Sequence, residues 1–341
     1  MFSKTEIKNL FGAGLIKKHT GSGAYVLTGK GGSLLDEAFA GEVLPQVQRE
    51  YRLSSVQRRL YIARLVMAAY RAGVNVFTTC IEDLCKDPAI FLPSNTRGRG
   101  ANPWVNTRIA AVASLGGTVC AVHYVYPGIG GLLFSDELAV FARNITPLKA
   151  EEQAFIFFGD SYEMVLAELE HVEDLKADRL VCYGEAYQQL SIPAYLFTGD
   201  DTGVTQLRIM SVPGYRAKLT RIALKSKFTP PPEDFPLCDA LFGGVPFLIA
   251  ADMDLRRIDA AVAAASRRNC GPIVLAALEA QADAILYARY RDTGKARVFT
   301  LTASALEEFF GSSGPVVHSP SHGPFFTAKG GVIDAPLIKT H

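Results

Sequence analysis

The sequence predicts an α/β protein whose strands pair in a mixed rather than purely parallel sheet, and three observations lead there. Short apolar runs alternate with amphipathic segments of helical period along most of the chain. Gly116 and Gly117 separate two apolar runs, 108–115 and 118–126, which is the two-residue glycine signal of a β-hairpin, so at least one strand pair is antiparallel. The 341 residues are 49% hydrophobic and 20% charged, enough to bury a sizeable core.

At the N-terminal end, Ser3 stands three residues before Glu6, the spacing of a capping box. Ile7, Leu10 and Phe11 follow at helical spacing, so a helix is expected over 4–13, with Lys4, Thr5, Lys8 and Asn9 on the face opposite the apolar stripe. Gly12 or Gly14 ends it. Residues 15–18 then run as a strand into a turn around Gly21, Ser22 and Gly23, 24–28 return, and 33–39 read as a second helix.

This order, with the wording G-L-I-K-K, then Y-V-L-T, then K-G and a leucine pair, resembles the winged-helix DNA-binding domain of bacterial regulators and of plasmid replication or relaxation proteins. The resemblance covers residues 3–40 and implies an incomplete winged-helix element, completed by helices from 53–72 or from a second subunit. It further implies that the helix before the wing enters the major groove of double-stranded DNA, that the wing rests on the flanking backbone, and that the protein binds as a homodimer. Lys4, Lys8, Lys17, Lys18, His19 and Lys30 would neutralise phosphates, and Thr5 and Asn9 would donate to bases or phosphates. Tyr25, Val26 and Leu27 would pack the wing onto its helix.

Charge is distributed to match. Residues 1–73 hold eleven Lys/Arg against five Asp/Glu, a net +6, whereas 151–190 hold two against ten, a net −8. A polyanion therefore prefers the N-terminal end.

After a linker at 42–48 around Pro45, residues 54–72 form the strongest helical pattern. Leu60, Ile62, Ala63, Leu65, Val66, Ala69 and Tyr70 make a broad apolar face edged by Arg58, Arg59, Arg64 and Arg71. There follow apolar runs at 74–78 and 89–92, a polar loop SNTRGRGANPW carrying Arg97 and Arg99, and the glycine hairpin. A helix at 135–145, a strand at 153–158, a helix at 161–171 and a strand at 180–183 come next. This succession also resembles the core of restriction-endonuclease-like domains. That core holds Mg²⁺ with an acid at the end of one strand and a Glu-x-Lys on the next. Around the hairpin there are only Arg108, His123 and neutral residues, so the resemblance implies a scaffold without the nuclease centre.

From 191 onward the alternation is looser. A strand ends near Leu196, Asp200, Asp201 and Gly203 read as a turn, and 215–227 is a basic segment, RAKLTRIALKSK from 216. That segment either extends a DNA track or pairs with the acidic stretch 151–190. Beyond the break at 230–232, a buried strand is expected at 245–251, a helix at 255–268, a further helical segment at 273–281, strands at 284–290 and 296–302, and a helix at 304–310. No internal repeat stands out. The divisions are 1–45, the winged-helix-like element; 46–190, an α/β domain; 191–310, a second α/β region; and 311–341, a Gly/Pro-rich tail.

Enzyme chemistry has one candidate. In FLIAADMDLRRID, Asp252 and Asp254 follow a buried strand, and an Asp-x-Asp there can hold Mg²⁺ for phosphoester hydrolysis, a short resemblance to phosphatases of the haloacid dehalogenase group. One of these aspartates more economically N-caps the helix from 255. His123, in an apolar strand, reads as a core histidine. Six scattered cysteines, with no CxxC, read as reduced thiols. No P-loop, Gly-x-Ser-x-Gly or dinucleotide fingerprint occurs, and GIGG at 128–131 reads as a turn. No cofactor, metal or catalytic residue is therefore expected. No signal peptide or membrane span is evident, which makes the cytoplasm the expected location. The reading is a non-catalytic DNA-binding regulator or replication and maintenance factor, with a Mg²⁺-dependent phosphoesterase or nuclease, or an interaction module, as alternatives.

Overall fold

The computed structural model describes residues 3–20, 25–38, 53–78, 81, 84, 88–93, 109–127, 141, 152–170, 187, 188, 190–225, 227–233, 235, 237–268, 270–312 and 314–318. The expected linker 42–48, the arginine loop, the helix 135–145 apart from Phe141, the strand 180–183, GIGG and the tail beyond 318 lie outside those residues. The chain divides into two compact units, 1–63 with 319–341, and 64–318.

The first unit contains α1 (Lys4–Gly12), β1 (Ile16–Lys18), β2 (Tyr25–Leu27) and α2 (Gly29–Ala38). The capping box is formed in both directions: Ser3 N–H donates to the Glu6 carboxylate at 2.5 Å and Glu6 N–H to Ser3 Oγ at 3.2 Å. β1 and β2 pair antiparallel, with Ile16 opposite Leu27 and Lys18 opposite Tyr25. α2 begins four residues before the expected 33 because Thr28 Oγ1 accepts from Gly31 N–H at 3.1 Å, an N-cap contact that the run of glycines hid. A Cβ at Gly31 would lie 2.1 Å from the Leu15 carbonyl oxygen, so only glycine lets α2 approach the ribbon this closely.

α3 (Leu53–Arg71) spans the division between the units. In the second unit, β3 (Ala89–Phe91), β4 (Ile109–Leu115), β5 (Thr118–Tyr124), β6 (Glu152–Gly159) and β7 (Ala194–Thr198) form one sheet in chain order. The first three run antiparallel, and β5, β6 and β7 run parallel, so the pairing is mixed as the sequence predicts. Gly116 and Gly117, at φ +58° and +95°, turn the β4–β5 hairpin between Leu115 and its partner Thr118. α4 (Tyr162–Glu170) follows β6.

A second sheet has the order β11-β10-β9-β8, from β8 (Ala240–Phe242), β9 (Val245–Ile249), β10 (Ile273–Ala277) and β11 (Ala296–Thr300). β9, β10 and β11 are parallel and β8 is antiparallel to β9. Helices α5 (Asp201–Met210), α6 (Tyr215–Leu224), α7 (Leu255–Arg267) and α10 (Ala303–Phe310) accompany the strands. Between β10 and β11 the chain is helical: α8 (Glu279–Gln281), a π turn over Ala282–Leu286, and α9 (Tyr287–Tyr290).

Three expectations are corrected here. Residues 273–277 are a central strand of this sheet rather than a helix, and 284–290 are helical rather than a strand. A short, wholly apolar run such as IVLAA carries no period that separates the two. The expected turn at 200–203 is a helix start, with Asp200 as N-cap accepting from Gly203 N–H at 2.9 Å.

Core residues sit on both faces of β6, where Ala154 to Phe158 are all buried, and along β9 and β10. Leu196 N–H of β7 donates to the Met253 carbonyl at 3.2 Å, which ties the edge of the first sheet to the loop after β9. Met253 takes φ +57° in that loop, a conformation costly for a side-chain-bearing residue.

Candidate functional site

Two constellations compete for a functional role. The first is the N-terminal surface. Lys4, Thr5, Lys8 and Asn9 are all exposed on α1, spaced so that they share one face, and no residue of that helix is fully buried. Lys17 and Lys18 are exposed on β1. Their partners are Val26 and Tyr25, and successive strand residues alternate, so the ribbon carries one lysine on each face. His19 is half-buried. Lys30 is committed locally, its Nζ donating to the Ala13 carbonyl at 3.1 Å beyond the end of α1.

Among the described residues, Lys4, Lys8, Lys17 and Lys18 make no ion pair. The one carboxylate within α1, Glu6, is occupied by the capping box, whose Ser3 N–H and hydroxyl hold its carboxyl below the usual range. Phe11 and Tyr25 meet edge to face, ring centres 6.3 Å apart, and join the helix to the ribbon while remaining about half exposed.

The second constellation surrounds Asp252, at the C-terminal end of β9. Its carboxylate is fully buried. Oδ2 accepts from Tyr215 Oη at 2.6 Å and from Arg216 Nε at 2.8 Å, and Oδ1 accepts from Asp254 N–H at 3.2 Å. Burial by itself would raise this carboxyl, but the charges of Arg216 and Arg257 outweigh that and hold it below the usual range. Burial and the charge of Asp252 push the Tyr215 hydroxyl well above its ordinary value.

Asp254 N-caps α7, accepting from Arg257 N–H at 3.2 Å, as the sequence predicts for one of the two aspartates. Its carboxyl is pushed up to about 6, first by burial and then by the neighbouring charge of Asp252. Arg257 in turn pairs with Asp239 at 2.6 Å.

Backbone carbonyls around Asp252 are served by two buried glutamines. Gln206 Nε2 donates to both Leu196 O and Asp252 O at 2.8 Å, and its Oε1 accepts from Tyr162 Oη at 2.7 Å. Gln281 Nε2 donates to Ala251 O at 3.0 Å and its Oε1 accepts from Leu278 N–H at 3.1 Å. Both amides are satisfied on the donor and the acceptor side, which is how buried amides are normally kept. Sequence reasoning missed Tyr162, Gln206, Tyr215, Arg216 and Gln281. Only Gln206 carried a signal: it shares the apolar face of α5 with Leu207 and Met210, where a polar residue is out of place.

Both oxygens of the Asp252 carboxylate accept from protein donors. Among the described residues no group of three His, Cys, Asp or Glu side chains is placed to hold a metal ion.

The other candidates resolve individually. His123 is fully buried, its ring 5.3 Å from that of Phe155 and 6.0 Å from that of Phe157. β4 and β5 carry no acid. Of the basic segment 216–227, two residues have partners outside the acidic stretch, and the acids within 171–186 of that stretch lie outside the described residues. Arg216 binds Asp252, and Lys218 donates to the Phe309 carbonyl at 2.6 Å. Of the described acids in 151–190, Asp160 is met by Arg64, and Glu170 by Arg289 at 3.0 Å.

Comparison with protein-family models, with curated proteins and with solved structures finds no match to this chain. No helix among the described residues is long and apolar enough to cross a membrane.

Proposed function

We propose that this protein binds double-stranded DNA through its N-terminal unit, as a cytoplasmic homodimer without catalytic activity, and regulates or maintains a bacterial chromosome or mobile element. The observation that carries the reading is the display of Lys4, Thr5, Lys8 and Asn9 on one solvent face of α1, directly before a ribbon bearing Lys17 and Lys18, with no ion pair on these lysines among the described residues. Four such lysines within one small unit favour a polyanion, because each phosphate neutralised releases a condensed counterion. Thr5 and Asn9 lie between the cations, where a hydroxyl and an amide read base edges or phosphates. The α1–ribbon–α2 order supports the docking geometry of a winged helix, α1 in the major groove and the ribbon along the backbone. Lys17 and Lys18, on opposite faces of the ribbon, would straddle a phosphate strand rather than lie flat on it.

The test is fluorescence anisotropy of mixed-sequence duplex DNA at several salt concentrations, beside a Lys17→Glu, Lys18→Glu double variant. Binding that weakens steeply with salt, and falls at least tenfold in the variant, is expected. Absence of binding at low salt overturns the reading.

A further inference from the structure

β11 forms one edge of the second sheet, and among the described residues nothing pairs with its outer side. The direction of its backbone groups is fixed by the bonds at its two ends. Ile273 N–H donates to Lys295 O at 3.0 Å, and Leu301 N–H to Ala277 O at 2.8 Å. With the register Ile273 opposite Ala296, residues 295, 297, 299 and 301 turn their N–H and C=O toward β10. Ala296, Val298 and Thr300 therefore turn theirs outward. The strand reads ARVFT, with no proline and no break in its register with β10. Its single charge is Arg297. Natural edges are usually blunted by proline, bulges or several charges.

Side chains on the edge have their own pattern. Arg297 and Phe299 share one face of the sheet, and Phe299 is 56% exposed, more than any other aromatic residue among those described. An exposed phenylalanine beside open backbone groups gives this edge both apolar area and hydrogen-bonding capacity to offer a pairing strand.

We propose that β11 is the dimerisation strand, and that it pairs antiparallel with β11 of a second copy about a two-fold axis through Val298. Its outward hydrogen-bond phase is self-complementary in this antiparallel arrangement. Val298 faces its own copy, Ala296 faces Thr300 of the second copy, and all three outward residues fall at hydrogen-bonded positions. Arg297 then lies opposite Phe299 of the other copy at the non-hydrogen-bonded positions, where side chains approach most closely. The guanidinium covers the exposed ring, as Arg208 already covers Phe310 within this unit at 3.9 Å. A parallel or shifted pairing of the two copies loses either the hydrogen bonds or this mutual cover. The two four-stranded sheets become one continuous sheet. The inference rests on the homodimer of the proposed function and is independent of DNA.

Sedimentation equilibrium of the full chain over a wide concentration range tests it. A reversible dimer is expected, with amide exchange at Ala296, Val298 and Thr300 slowing as concentration rises. Val298→Pro removes one outward N–H and leaves the bonds to β10 in place, so it should yield a monomer. Phe299→Lys, a surface change that should leave thermal unfolding of the monomer unaltered, sets a cation against Arg297 of the second copy and should weaken the dimer at least tenfold. Adding Arg297→Glu to Phe299→Lys makes each cross-strand position attractive again and should restore association.

A monomer at every concentration overturns the proposal, and if its edge amides are protected the edge belongs to another segment of the same chain. A dimer indifferent to all three variants overturns it equally. A monomer that still binds DNA leaves the proposed DNA binding standing, and a dimer that does not bind DNA leaves this interface standing.

Discussion

The N-terminal lysine surface and the Asp252 cluster both gather charged residues within a few ångströms or a few turns, yet they are built in opposite ways. Around Asp252 each acceptor has its donor inside the protein: Tyr215, Arg216 and the Asp254 amide close on one fully buried carboxylate. On α1 and β1 the lysines are exposed and make no ion pair among the described residues. A charge whose partners are internal acts on cohesion, because removing one member strands the others in low dielectric. A charge facing water costs the fold little and remains open to a ligand. Substitutions in the two regions should therefore separate cleanly, stability moving in one and binding in the other.

The largest effect is expected from Asp252→Ala. It leaves the Arg216 guanidinium and the Tyr215 hydroxyl without their acceptor, and losing one side of a buried ion pair costs about 3–5 kcal/mol. Chemical denaturation should show the loss at neutral pH. Were Asp252 instead an acid kept in place for Mg²⁺, the substitution would stabilise the protein and abolish a hydrolytic activity, and the comparison would fail.

Gln206→Leu is next. It keeps the volume of the side chain but leaves the Leu196 and Asp252 carbonyls without their shared donor at the joint between the two sheets. Stranded buried groups cost about 1–3 kcal/mol each, so about 2–4 kcal/mol should be lost, with unfolding of the second unit becoming less cooperative. An unchanged denaturation midpoint would show that the joint is held by other interactions.

Asp254→Asn should act in the opposite direction. With a folded-state carboxyl pKa of about 6 against an ordinary 3.8, the folded protein binds this proton more tightly than the unfolded chain does. The ionised group therefore opposes folding at pH 7, and that cost is relieved as pH falls through about 6 toward 4. Asparagine retains the cap and has no charge to bury, so a gain of about 1–2 kcal/mol at pH 7 is expected, shrinking to nothing near pH 4. Equal stability of the two proteins across that range would mean that Asp254 is well solvated.

These residues also mark how far the sequence could be read. The capping box at Ser3 and Glu6, the Gly116–Gly117 hairpin and an aspartate cap on α7, though not which of Asp252 and Asp254 supplies it, were legible, because each is decided by residues at most three positions apart. The polar network was not. Tyr215 lies 37 positions from Asp252, and Tyr162 lies 119 from Gln281, so nothing local announces that they meet. The exchange of strand and helix between 273–277 and 284–290 has a different cause. Both are apolar runs of strand length, and only their place in the sheet, one central and one crossing over, decides between them. The lysine face was readable in composition and spacing, whereas the division of Lys17 and Lys18 between the two faces of the ribbon required its register.

The smallest effect on stability, and the sharpest form of the comparison, belongs to Lys4→Ala with Lys8→Ala. Both side chains are exposed on α1, and alanine is at least as good a helix former as lysine, so denaturation should shift by no more than about 0.5 kcal/mol. If these lysines bind phosphates, duplex affinity should fall while the slope of log affinity against log salt becomes shallower by about 2, one unit for each lysine removed. Thr5→Ala and Asn9→Ala on the same face separate two roles for α1. Loss of affinity for some duplex sequences and not others, at an unchanged salt slope, places the helix against base edges. A uniform loss places it against the backbone. A lysine pair that changes neither stability nor the salt slope would leave the exposed charges of α1 with only the task of keeping this unit in solution.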